Sequence, residues 1–234
     1  SEDNIKLIVK SNRKLKDKKY IKAEINSNTL NVEDYNNKSN RNIFNMFNNY
    51  YLEVEIKIPK DYKESITVDN RVGDVEIDSS LSLSSLDINI QTGDIEGNGK
   101  INSKEITIST KVGEVEFKSL EGKNIIIKNK TGDIDIDEFS GNGSIESQIG
   151  DIACDVERLN GDFSIKSKTG DVDLYVNRDL SFVFEGNKSF GDIDSGLEFN
   201  NVTQSSNFFN GEYGNNPVNK ITTNVKTGDI SIND

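Results

Sequence analysis

From residue 66 onward the chain alternates apolar and polar positions with a period of two, and a glycine followed by an acidic residue interrupts the alternation at regular intervals. The interrupting glycines are Gly73, Gly93, Gly113, Gly132, Gly150, Gly170, Gly191 and Gly228. Two and four residues after them stand pairs such as Val75 and Ile77, Val115 and Phe117, Ile134 and Ile136, and Val172 and Leu174. Seven and five residues before them stand Ile66 and Val68, Leu86 and Ile88, Ile106 and Ile108, Ile125 and Ile127, and Phe163 and Ile165. Period-two alternation is strand chemistry, so each repeat predicts two short strands joined at a glycine corner. A weaker apolar position marks a third side, at Leu81, Ile101, Leu120, Phe139, Leu159 and Leu180.

The glycines are spaced 20, 20, 19, 18, 20, 21 and 37 residues apart. Two strands per repeat cannot bury a face alone, but they can when stacked on the next copy. The pattern therefore predicts an all-β fold, a single-stranded parallel β-helix with about 20 residues per coil. The general preference of parallel crossovers makes a right-handed coil the expectation. A propeller blade needs about 40 residues, twice this period. The 37-residue interval reads as two turns with one glycine tag missing, or as one turn plus an excursion. Each corner glycine reads as an αL position that a side chain would strain.

Residues 1–60 lack the tag but carry strand-like runs at Ile5 to Val9, Ile21 to Ile25 and Leu52 to Ile58. A solenoid end exposes strand edges and open core, so 1–60 reads as an N-terminal cap and 61–234 as one continuous run of coils. Between the strand-like runs, Ile43, Phe44 and Phe47 stand at helical spacing in an Asn-rich stretch. A second irregular stretch, 199–217, carries Phe208, Phe209 and Tyr213, which fill the last core or form an interaction patch.

Composition removes many chemistries. The 234 residues include no His, no Trp and a single Cys, which excludes His-based triads, His-ligated metals and internal disulfides. The net charge of −12 argues against nucleic acid and anionic membranes, since both require a basic patch. No apolar run approaches the roughly 18 residues of a membrane span.

The run Val54 to Lys60, then Ile66-Thr67-Val68, then Val72-Gly73-Asp74-Val75-Glu76-Ile77 resembles a bacterial adhesin-type domain of unknown function, the toast-rack β-solenoid family. The resemblance covers about residues 50–234. It implies an extracytoplasmic β-helix associated with the envelope of Gram-positive bacteria, without known catalysis. The family offers no functional residues beyond its corner glycines and acids.

The remaining candidate chemistry is the acidic column Asp74, Asp94, Glu114, Asp133, Asp151, Asp171, Asp192 and Asp229. Like charges about 5 Å apart repel by roughly 1 kcal/mol in water, so each carboxylate needs relief. The expected relief is backbone N–H groups within its own turn, with lysines such as Lys130 and Lys168 nearby; bridging by calcium is the alternative. A carbohydrate-active enzyme would use carboxylate pairs such as Asp133 with Asp135 or Asp171 with Asp173. These pairs recur along the stack instead of marking one site. Cys154 falls in an inward column and reads as a small buried hydrophobe. The expectation is a non-catalytic scaffold or interaction module with no cofactor, no metal site and an unknown protein or glycan partner.

Overall fold

The computed structural model describes residues 4–11, 21–26, 29–34 and 52–234. The chain divides into two compact units, Ser1–Asp61 and Tyr62–Asp234. The Asn-rich stretch with Ile43, Phe44 and Phe47 lies outside the described residues. In the first unit β1 (Lys6–Ser11) pairs antiparallel with β4 (Leu52–Lys57), and β2 (Ile21–Asn26) pairs antiparallel with β3 (Thr29–Asp34). Lys10 bridges Glu53 at 2.7 Å and Glu55 at 3.5 Å across the first pair.

The second unit is a parallel β-solenoid, with no helix among the described residues. Its coils run through β5 (Ile66–Val72), β6 (Val75–Ile77), β7 (Leu81–Thr92), β8 (Ile95–Val112), β9 (Val115–Thr131), β10 (Ile134–Ile149), β11 (Ile152–Thr169) and β12 (Val172–Val176). Each rung pairs in parallel with the next, so like residues stack: Ile106 on Ile125, Val115 on Ile134, Ile136 on Cys154 and Cys154 on Leu174. These side chains are fully buried, and each aliphatic one contributes about 1.5–3 kcal/mol. Where the column holds Gly97, the ring of Phe117 on the next rung occupies the space a Cβ would need.

The corners explain the glycines. Gly113 has φ +144°, and a Cβ there would come within 2.0 Å of the Gly93 carbonyl oxygen. This is a glycine-only conformation more extended than the αL expected from sequence, and the rung below leaves no room for a side chain. Gly73 begins the column and is the exception: its Cβ would meet only Asn70 Nδ2 at 3.2 Å. Corner backbone groups bond from rung to rung, as in Gly93 N–H to Val112 O at 2.9 Å. The third apolar side stacks Leu81, Ile101, Leu120 and Phe139, then shifts register, so that Phe139 faces Val156 and Leu159 faces Gly141. Phe139 instead stacks on Phe163, with ring centroids 4.2 Å apart.

Beyond β12 the spatial order departs from the chain order. The following segments are β13 (Phe182–Phe190), β14 (Ile193–Ser195), β15 (Asn200–Ser205), β16 (Phe208–Tyr213), β17 (Asn219–Thr227) and β18 (Ile230–Asn233). β17 pairs in parallel with both β11 and β13, and β18 with both β12 and β14. The last segment is therefore threaded between two rungs that precede it in sequence. The 37-residue interval hides no untagged turn, because the stack of corners runs Gly170, Gly228, Gly191. The chain skips one place, builds the outer rung, and returns to fill the gap. The excursion is a hairpin: β15 pairs antiparallel with β16, and β16 antiparallel with β13.

Candidate functional site

Side chains able to do chemistry stand on outward positions flanking each corner, and they form three columns. The first is the acidic corner column. Asp94 N–H donates to Asp74 Oδ1 at 3.0 Å, Glu114 N–H to Asp94 Oδ1 at 2.8 Å, and Asp151 N–H to Asp133 Oδ1 at 2.8 Å. The ladder continues from Asp171 to Asp151, Asp229 to Asp171 and Asp192 to Asp229. The donors belong to the neighbouring rung, not to the carboxylate's own turn as expected, because ladder donors in a parallel stack lie between rungs. Glu114 makes no such bond to Asp133; its extra methylene breaks the ladder once. Among the described residues no cluster of three or more His, Cys, Asp or Glu has metal-holding geometry.

A second column lies past the corner. Glu116, Asp135 and Asp137 line a cleft of about 270 Å³ with Glu96. Burial, then the charges of Glu114 and Glu96, push the Glu116 carboxyl above its usual range. Burial and Asp137 do the same to Asp135, and burial with Asp137, Asp135 and Glu157 to Asp155. Asp133 belongs to the corner ladder and Asp135 to this face. Asp173 stands between Ala153 and Ser231, so the acidic face is interrupted there.

The third column lies before the corner; sequence placed Lys130 and Lys168 near the corner acids, but total charge masked the groove they belong to. A groove of about 630 Å³ crosses six rungs and is lined by Lys111, Lys128, Lys130, Lys166, Lys168 and Lys226, with Lys188 at its end. Glu146 is its one acidic residue. Six of these lysines stand two or four residues before corner glycines, a periodic signal that was legible beside the apolar columns, and Lys188 stands three before Gly191.

Phe209 is buried against Phe184 and Phe199, with centroids at 6.0 and 5.2 Å, and Tyr213 packs on Phe182 at 5.3 Å. Only Phe208 of the three looks away from this cluster, and it is half-buried. Cys154 is fully buried, and desolvation pushes its thiol far above the ordinary range, which makes it unreactive.

No curated protein matches the chain. Among solved structures it is similar to a "putative cell adhesion protein" from Clostridium sporogenes, with 12% identity, a TM-score of 0.33, and coverage of 98% of this chain and 81% of that one. Residues 1–233 match the family model described as Toastrack DUF4097. The periodic Gly-Asp corners and parallel stack agree with that match, and the chain belongs to the Toastrack DUF4097 family.

Proposed function

We propose that this chain is a non-catalytic, extracytoplasmic interaction module of the adhesin type, a stacked scaffold that presents a lateral face to an extended envelope partner. The observation that carries the reading is the six-rung lysine groove. Its polar groups repeat along the stack, and an extended partner can meet a repeating face at many points, each weak alone and strong together. A catalytic site instead needs unlike groups converging on one reacting atom.

One observation favours a second reading, a carbohydrate-active enzyme: Glu116 and Asp135, both with raised carboxyl pKa, line one cleft. A single experiment separates the two. The chain is incubated with insoluble envelope material from a Gram-positive bacterium, and retained protein and released sugar are both measured. Saturable retention without sugar release is expected. Loss of retention, or sugar release abolished by Asp135→Asn, overturns the proposal.

A further inference from the structure

The groove has a charge that the fold does not need. Of its seven lysines, Lys166 reaches Glu146 at 3.5 Å, and Lys188 Nζ donates to the Gly191 carbonyl oxygen. The ammonium groups of the other five, Lys111, Lys128, Lys130, Lys168 and Lys226, are exposed and make no hydrogen bond or ion pair with any described residue. No groove lysine comes within 4.0 Å of a corner carboxylate, so the lysines do not serve to neutralise the acidic ladder. Confining cations of one sign to a concave stripe focuses a positive potential there, even on a chain of net charge −12.

The spacing is set by the stack. Thr110 pairs with Asn129, Asn129 with Ser147, Ser147 with Ser167, Ser167 with Val225 and Val225 with Lys188. The flanking lysines therefore stand one or two rung distances of about 4.8 Å apart, with Gln148 and Glu146 interrupting the two columns on the same rung, along a groove on the order of 25 Å long. Two residues before the corners the spatial order is Lys111, Lys130, Gln148, Lys168, Lys226. Lys226 adjoins Lys168 only because the last segment is threaded between the two preceding rungs; in chain order Ser189 would stand there.

We propose that this groove binds a linear polyanion with phosphate groups along its backbone, lying across the rungs so that successive charges meet successive lysines. The proposal rests on the interaction-module reading and names its ligand class. Three features select the chemistry. The cations are lysines, compact point charges suited to phosphate, and the groove has no arginine fork to grip planar carboxylates in pairs. No aromatic side chain lines it, so neither nucleobases nor sugar rings find a stacking surface. The groove is an open channel across rungs, which admits a chain and gives little purchase to a single small anion.

The test titrates the full chain with long-chain inorganic polyphosphate at several salt concentrations, beside orthophosphate, polygalacturonate and oligothymidylate. Polyphosphate is expected to bind, with log K falling against log salt at a slope of about −3.5 for five contacted phosphates on a single strand. The triple variant Lys130→Gln/Lys168→Gln/Lys226→Gln should weaken binding by about tenfold or more and flatten that slope by about two. A second triple variant, Lys104→Gln/Lys118→Gln/Lys123→Gln, changes net charge equally at exposed positions outside the groove and should leave binding near wild type. Equal loss in both triples would overturn the site. Tighter binding of polygalacturonate or oligothymidylate than of polyphosphate would overturn the ligand class. Retention on envelope material without polyphosphate binding would sink this inference and leave the interaction module standing; loss of both would sink both.

Discussion

The coils from β5 to β12 and the end from β13 to β18 use the same rung, yet they are assembled in different ways. In the first region each rung docks on the one just made, and spacing along the chain equals spacing along the stack. In the second the final segment lies inside a rung formed earlier in sequence. The corners do not register the difference: Gly228 meets Gly170 as closely as Gly113 meets Gly93, 2.2 Å against 2.0 Å from a built Cβ to the carbonyl oxygen. Local geometry is therefore indifferent to chain order, and only the connecting segments determine it.

Deleting residues 219–234 breaks the comparison most severely. Ile221, Val225, Ile230 and Ile232 leave the core, each removing about 1.5–3 kcal/mol, and the outer rung loses its parallel neighbour. The truncated chain should lose its cooperative melt at the C-terminal end, and limited proteolysis should then cut between 177 and 213. A synthetic peptide of residues 216–234 should restore protection; in an in-order stack no such slot would exist. Next in size are the corners. Gly113→Ala and Gly228→Ala should each cost about 4 kcal/mol or more, as backbone sits where the methyl must go. Gly73→Ala, with only positive-φ strain, should cost about 1–3 kcal/mol. Chemical denaturation orders the three variants.

Acid should act on the two regions in opposite directions. Glu116, Asp135 and Asp155 have folded-state pKa values raised above those of the unfolded chain, so the folded state binds extra protons as pH falls from neutral toward the carboxylate range. Their contribution therefore increases stability on mild acidification. Glu185 is held low, first by its hydrogen bond from Lys220 at 2.5 Å, which joins β13 to the threaded β17. That stabilisation is present above the unfolded pKa and is lost as pH falls through the folded one. Glu121 in the coils, held low by Lys100 and Arg158, partly offsets the gain there. Melting temperature should rise from about pH 7 to about pH 5 and fall below about pH 4, with the C-terminal end exchanging amide hydrogens first. Asp135→Asn should flatten the rise. The smallest effect is expected at the corner ladder: melting in millimolar calcium should match that in chelator, and Asp133→Asn, which keeps the acceptor for Asp151 N–H, should change stability by less than about 1 kcal/mol.

The coils were legible because their information is local. Period-two columns and a glycine that only backbone can approach are written into each 20-residue stretch. The threading was not legible, because Ile221 and Val225 present the same inward pattern as any other rung and fit between β11 and β13 as readily as beyond them. The register slip at Phe139 likewise depends on its contact with Phe163, one coil away. For Phe209 and Tyr213 the sequence favoured core over patch without showing what they cover, because the fold of β16 back onto β13 is not written in the local pattern. The lysine groove was legible position by position but disappeared in a chain-wide sum of charges.

The threaded end also has a consequence in time. Chains emerge from the ribosome at about 5–20 residues per second, and each coil from β5 to β12 can settle on its predecessor within a second or so of synthesis. The segment 182–195 has neither of its parallel partners, β17 and β18, at that moment. It can lie directly on β11 and β12, in the slot belonging to residues not yet made, with Phe184 covering Phe163 in place of Ile221. Completion then requires that early arrival to move outward by one rung before the final strands enter. A slow last phase in refolding, absent from a chain ending at residue 176, is the kinetic signature of that exchange.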